Sequence, residues 1–474
     1  MSLQKKLSSD VLVTVLVRLG TRFQGLIFIP LIGKLLGLAA YGAYVQIIAI
    51  TGLLATVLDL GLHSALIRYG QEESQDVADL YYSLTAFAVA CGSLAAILLM
   101  TFSTSLSELT LGNRQYAEAL LIGSTLVPLK VFSGMARNYF RMEMNTKIYS
   151  VIEAIRSYAS IGAVALVILY LNWELEGVMT VLVAIELALG VGIQYLIGRK
   201  IGYTIPSFQE LERCLRYSIP LTGSMIASEL AAQADKIIVG SFLGASAVGI
   251  YSISYSIANF ISIYSSSAYT SLFPEISRLL ENGERERCGN IVQTSVRYYI
   301  VIAVPSAIGI YLVGPTVIRL ISTPEAAGPA NALVPIVGLG IILLGLERLY
   351  ELIPVADEDT VVISKIKGVA AVTNILMNVA LVPVYGITGA AVATVLSYGA
   401  SSVLVYRESN IRVKTRFPLV STVKTAAASA VMFVVLYSLL NRNLLPSLVV
   451  GPLVYFVVMI AIDGIELAEL TEVI

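Results

Sequence analysis

The sequence predicts an all-α integral membrane protein, with about fourteen transmembrane helices in two like-oriented six-helix bundles plus two C-terminal helices. Three observations predict it: a composition too apolar for a soluble domain, apolar runs of membrane-spanning length along the chain, and one helix–turn–helix stretch that occurs twice. Of 474 residues, 57% are hydrophobic and 13% charged, and the mean hydropathy is +0.82. A soluble domain carries roughly 45–50% apolar and about 25% charged residues. A globule that also needs a polar surface cannot bury such an excess, so lipid is the expected solvent.

A helix needs about 20 predominantly apolar residues to cross the hydrocarbon core. Runs of that length cover 9–33, 40–67, 78–102, 116–138, 147–171, 177–198, 217–242, 246–273, 290–313, 329–350, 361–383, 387–406, 419–440 and 445–463. Gly, Pro, Asn and charged residues separate them, as in "SELTLGNRQ" and "ISTPEAAGPAN". The basic start "MSLQKKLSSD" leads into a run too long for a signal-peptide core, so the first span is expected to persist. With the N-terminus inside, twenty Lys and Arg residues fall on inner loops and ends, Arg137 among them. Only four, Lys34, Arg114, Arg319 and Arg442, fall outside. That asymmetry predicts a multi-pass protein of the cell (inner) membrane with both termini cytoplasmic, and an even number of spans. The net charge of −1 predicts no nucleic-acid partner. Three cysteines and one histidine predict neither a disulfide framework nor a metal cluster.

The duplicated stretch is "FIPLIGKLLGLAAYGAY" at 28–44 and "QADKIIVGSFLGASAVGIY" at 233–251. Gly33 falls on Gly240, Leu36 on Leu243, Gly37 on Gly244, Ala40 on Ala247, Gly42 on Gly249 and Tyr44 on Tyr251. Each copy reads as the outer end of one helix, a tight glycine turn and the start of the next. Six spans separate the copies, so both have the same orientation. The expected organisation is a bundle of spans 1–6 over residues 1–205, a second of spans 7–12 over 206–412, and two added helices with an acidic cytoplasmic tail over 413–474. Paired halves of this kind place a substrate site between them near the midplane.

"NILMNVALVPVYGITGAAVATVLSY" (374–398), "DKIIVGSFLGASAVGIYSISY" (235–255), "IGKLLGLAAYGAYVQ" (32–46) and, more weakly, "VLDLGLHSALIRYG" (57–70) resemble the polysaccharide-biosynthesis flippases, the Wzx-like branch of the MATE-related (MOP) superfamily. The resemblance implies a MATE-like fold and movement of a polyprenyl-(di)phosphate-linked oligosaccharide from the inner to the outer leaflet by alternating access. These motifs are packing signatures. Pro383 and Gly386 end the eleventh span, and Gly389, Ala390, Ala391 and Ala393 open the twelfth with small side chains. The alternative on the same scaffold is a cation-coupled MATE-type multidrug or metabolite antiporter, whose cargo calls for acids in an apolar pocket. An inert scaffold has little reason to keep charges at mid-depth, and the loops are short for a membrane enzyme. No nucleotide-binding motif stands in the chain, and neither a catalytic residue nor a cofactor is predicted. The expected partners are the lipid-linked oligosaccharide, membrane lipids and other glycan-assembly membrane proteins, and the expected state is a monomer.

A charge at a helix centre costs about 2.5–3.5 kcal/mol on insertion scales and needs a partner, a cavity or a route to water. Arg18 and Arg22 share one face of the first span. A diphosphate would relieve their repulsion, since the guanidinium fork matches phosphate oxygens; pairing of Arg22 with Glu229 is the internal alternative. Lys130 follows Pro128 in mid-helix, where proline lets the backbone bend, and joins both arginines as a substrate-binding candidate. Asp235, Glu229, Glu186 and Asp59 are the candidates for gating or for a coupling ion, H+ or Na+. The resemblance also places an acid at the position of Asp235. Lys236 reads as reaching toward the interface, Glu153 and Arg156 as a structural pair, and Asp59 with His63 as a local contact.

Overall fold

A backbone surrounded by lipid must satisfy its own N–H and C=O groups, which a helix does within one segment. The computed structural model describes residues 24–72, 76–439 and 444–464, and every regular element among them is a helix. In chain order these are α1 (Gln24–Lys34), α2 (Leu38–Leu58), α3 (Leu62–Tyr69), α4 (Val77–Thr101), α5 (Ser103–Leu111), α6 (Ala117–Ser124), α7 (Leu126–Met142), α8 (Thr146–Leu169) and α9 (Leu175–Ile201). There follow α10 (Leu211–Leu243), α11 (Ala245–Ala258), α12 (Ser262–Glu281), α13 (Arg285–Ile321), α14 (Pro324–Ala356), α15 (Thr360–Arg412), α16 (Leu419–Leu439) and α17 (Leu444–Ala461). Arg18 and Arg22 lie outside the described residues.

Ten helices among the described residues are long and apolar enough to cross a membrane, so the chain is a multi-pass membrane protein. Val369, Val372, Leu376 and Val379 recur at helical spacing on α15 and are about half exposed; an apolar stripe turned outward is what lipid calls for. The sequence breaks the run between 383 and 387, and α15 departs from helical geometry there: Gly386 has φ 60° and ψ −143°. Beside it, a methyl group on Gly389 would overlap the carbonyl oxygen of Leu381, and Ala390, Ala391 and Ala393 are fully buried. The small residues of this motif therefore pack, as read.

The contacts divide the chain into two compact units, Met1–Gly249 and Ile250–Ile474. The first has a core of Leu66, Leu80, Tyr81, Leu84, Met135, Tyr139, Ile193 and Cys214, from α3, α4, α7, α9 and α10. In the second, α14 packs against α13 and α15. The two C-terminal helices join through Val301, Leu312, Met432, Leu436, Tyr455 and Met459. Asp76, Asn145 and Asp359 cap α4, α8 and α15, each accepting from a backbone N–H of the first turn.

The repeat is visible in the backbone. Gly37 (φ 99°, ψ 160°) and Gly244 (φ 81°, ψ 175°) make the same turn, at a φ that side chains with a Cβ avoid. Within the first unit α10 packs along α2, and the Gln46 side chain lies on Gly240, where a methyl group would displace it.

Candidate functional site

The candidate site is built from the charges that the first unit keeps inside its helices. On α7, Lys130, Ser133 and Arg137 stand at intervals of three and four and so share one face. On α8 the same rule aligns Glu153, Arg156, Ser157 and Ser160. Glu186 faces them from α9. Arg137 Nε donates to Glu153 Oε1 at 2.9 Å, and Arg137 Nη1 donates to Glu186 Oε1 at 3.2 Å and to Ser133 Oγ at 2.9 Å. Ser133 donates in turn to Glu186. The second oxygen of Glu153 accepts from Arg156, Nη2 at 2.9 Å and Nε at 3.2 Å. Three helices are thus tied by two arginines and two carboxylates, a balanced set. Balance matters because a buried charge stripped of its partner costs about 3–5 kcal/mol.

In front of this network lies a cavity of about 350 Å³, walled by α1, α2, α7, α8, α9 and α10. Its volume is at the lower end of the roughly 300–1,000 Å³ common for ligand pockets. Lys130, Arg156 and Lys236 line it, with Glu186, Gln24, Gln233, Ser160 and the rings of Phe28, Tyr41 and Tyr44. Lys130 Nζ donates to Thr51 Oγ1 at 3.1 Å, and Lys236 Nζ donates to Gln233 Oε1 at 2.7 Å. Glu186 accepts from Arg137 and Ser133 through Oε1. The wall thus sets three basic side chains and one acid among polar and aromatic groups.

The cavity brings Lys130 and Glu186 together. Glu229 accepts from Gln233 Nε2 at 3.1 Å, one helical turn along α10, and is not a lining residue. Asp235 is buried and accepts the backbone N–H of Lys236 at 2.8 Å. Asp59 pairs with His63 at the end of α2, away from the lining residues. Lys236, read as reaching for the interface, instead points into the cavity. Arg137, assigned to the inner rim, is instead a partly buried organiser with its side chain 15% exposed. The wall role of Arg156 and the part played by Arg137 both escaped the sequence reading. The spacing on α7 and α8 carried a signal for them, but which helices supply the acids is a tertiary fact.

Fold and site together define a multi-pass membrane protein with a polar cavity, lined by three basic side chains, inside a helix bundle. The profile of the polysaccharide biosynthesis protein family matches residues 31–325, and the chain belongs to that family. It is similar to the probable flippase AglR of Haloferax volcanii, 29% identical over 211 residues, which is 44% of each chain. It is also similar to the succinoglycan biosynthesis transport protein ExoT of Rhizobium meliloti, 26% identical over 63% of this chain and 59% of that one. The matches thus span about half the length of these curated relatives. Among solved structures, the lipid II flippase MurJ in an inward closed conformation superposes with a TM-score of 0.82 at 16% identity, covering 94% of this chain and 98% of that one. An inward-facing multidrug resistance MATE transporter of the MOP superfamily gives 0.67 at 16% identity, covering 84% and 94%. The fold is that of MurJ and the MATE transporters, as the motifs implied.

Proposed function

We propose that the protein is a flippase that carries a polyprenyl-(di)phosphate-linked oligosaccharide from the inner to the outer leaflet by alternating access. The observation that carries this reading is the cavity wall, where Lys130, Arg156 and Lys236 present positive charge within the helix bundle. A phosphate group, which lipid alone repels, finds there both counter-charge and hydrogen-bond donors. Gln24, Gln233 and the Tyr41–Tyr44 pair supply polar and flat surfaces suited to the sugar next to the phosphate. A cavity of this volume takes the phosphate and adjoining sugar, not a whole glycan. The names of the curated relatives, probable flippase and succinoglycan biosynthesis transport protein, support the same class.

The antiporter reading needs an acid free to meet a cationic cargo. Glu186, the acid lining the cavity, already shares its Oε1 between Arg137 and Ser133, which weighs against it. Asp235 and Glu229 remain our candidates for the coupling ion, H+ or Na+, and Arg18 and Arg22 remain substrate candidates with Lys130. We place the protein in the cell membrane with both termini cytoplasmic, acting as a monomer beside other glycan-assembly proteins.

Deletion of the protein, followed by analysis of lipid-linked oligosaccharides, tests the proposal. Their accumulation on the inner leaflet with loss of surface glycan is the expected result. Intact surface glycan together with altered drug sensitivity would overturn it in favour of the antiporter.

A further inference from the structure

Glu153 gives one carboxylate oxygen to each of two arginines, and the two arginines differ in position. Arg156 lines the cavity and its side chain is 32% exposed; Arg137 is 15% exposed and stands behind the wall. Suppose Arg156 were the sole partner of Glu153. An anion in the cavity could then engage Arg156 only by leaving a half-buried carboxylate unpaired, at a cost close to the binding gain itself. Arg137 removes that obstacle. Its Nε keeps Glu153 Oε1 while its Nη1 keeps Glu186 Oε1, so each acid retains a charged hydrogen-bond donor when Arg156 turns away. The guanidinium serves three acceptors at once through a rigid planar fork, which an ammonium group cannot reproduce.

The geometry points to Arg137 as a positioning residue that makes Arg156 an exchangeable ligand: an anion of the phosphate class takes Arg156 from Glu153, and Arg137 holds the two carboxylates in the meantime. The inference rests on the reading of the cavity as a phosphate site. In its resting form the cavity stores Arg156 against Glu153, which spares the empty site an unpaired guanidinium. On loading, the positive charge facing the ligand rises to three groups, Lys130, Lys236 and Arg156, with no acid released into the cavity.

Calorimetric titration of the full chain in lipid nanodiscs with inorganic pyrophosphate tests the inference. Arg137→Gln leaves Glu153 with Arg156 alone and is expected to weaken pyrophosphate binding about tenfold, the scale of one charge-assisted hydrogen bond. Glu153→Gln added to Arg137→Gln frees Arg156 and restores binding toward the wild-type value, whereas a purely structural defect would deepen with the second change. Glu153→Gln by itself is expected to tighten binding, and it carries the test should Arg137→Gln fail to fold. Unchanged binding in Arg137→Gln, a double variant no better than the single one, or a Glu153→Gln protein that binds no more tightly each overturns the role of Arg137. If those results come with loss of binding in Lys130→Gln, the phosphate site stands and only this inference falls. Absence of pyrophosphate binding by the wild-type protein sinks the site reading, and this inference with it.

Discussion

Gly42 of α2 and Gly249 of α11 occupy matching positions of the repeat and press on each other's helices. A methyl group on Gly42 would overlap the carbonyl oxygen of Ala245 and come within 2.8 Å of the Gly249 nitrogen; one on Gly249 would come within 2.6 Å of the Leu38 carbonyl oxygen. The duplicated sequence thus encodes a reciprocal contact between its own two copies. Close backbone approach of this kind holds membrane helices together through van der Waals packing.

Gly42→Ala is therefore expected to destabilise the protein by about 1–3 kcal/mol, the usual cost of overfilling a packed contact. Gly162 and Gly192 have nothing within 4 Å of the same methyl position. Gly162→Ala and Gly192→Ala should be neutral or stabilising by up to about 1 kcal/mol, since alanine is the better helix former. Thermal unfolding in detergent compares the three. Equal midpoints for Gly42→Ala and the two controls would show that the contact is loose.

Lys130 faces the cavity from the second turn of α7, with Thr51 as its hydrogen-bond acceptor. Lys130→Gln keeps the length and a donor but removes the charge. Pyrophosphate affinity is expected to fall about tenfold, with the melting midpoint little changed because no carboxylate is left unpaired. Lys130→Arg should retain most of the binding. Restoration of surface glycan in a deletion strain by Lys130→Gln at wild-type level would remove Lys130 from the site.

Helix positions are legible in this sequence because each rests on some twenty residues of one character, and the turn at Gly37 and Gly244 is legible because it occurs twice. Single charged residues carry no such redundancy. Lys130, Ser133 and Arg137 visibly share a face, yet nothing local says that Glu153 of α8 and Glu186 of α9 will meet it. Arg156 was readable as the partner of Glu153, three residues away, but its exposure to a cavity depends on which six helices surround that point. Lys236 misleads for the same reason. Nearness to the end of an apolar run suggests a side chain escaping to water, whereas the packing of α10 gives it a polar cavity instead.

The charge network separates buried from exposed ion pairs. Glu186 has a side chain 8% exposed and is held by Arg137 and Ser133, while Arg216 and Glu212 are 82% and 80% exposed. Glu186→Ala should lower stability by about 3 kcal/mol or more, because Arg137 and Ser133 lose their shared acceptor inside the bundle. Arg216→Ala should change it by less than about 1 kcal/mol, as solvent and salt screen an i,i+4 surface pair. Chemical denaturation in mixed micelles, with both variants at the same detergent ratio, reads the difference. Equal stabilities would mean that water reaches Glu186 freely.

Cys214 sits at the start of α10, ahead of the seventh apolar run, fully buried among the core residues of the first unit. Burial pushes its thiol up to about 11, with the nearby Glu210 adding to the rise and Arg213 opposing it. The thiolate is the reactive form, so a raised value means less nucleophile at neutral pH. In a variant with Cys91→Ala and Cys288→Ala, N-ethylmaleimide at about pH 7.5 is expected to leave the folded protein unlabelled and to label it fully in SDS. Raising the folded sample to about pH 9 should add little, although an ordinary thiol near 8.5 would by then be mostly ionised. Rapid labelling of the folded protein at about pH 7.5 would show that the start of α10 separates from α3 and α4 far more often than its packing allows.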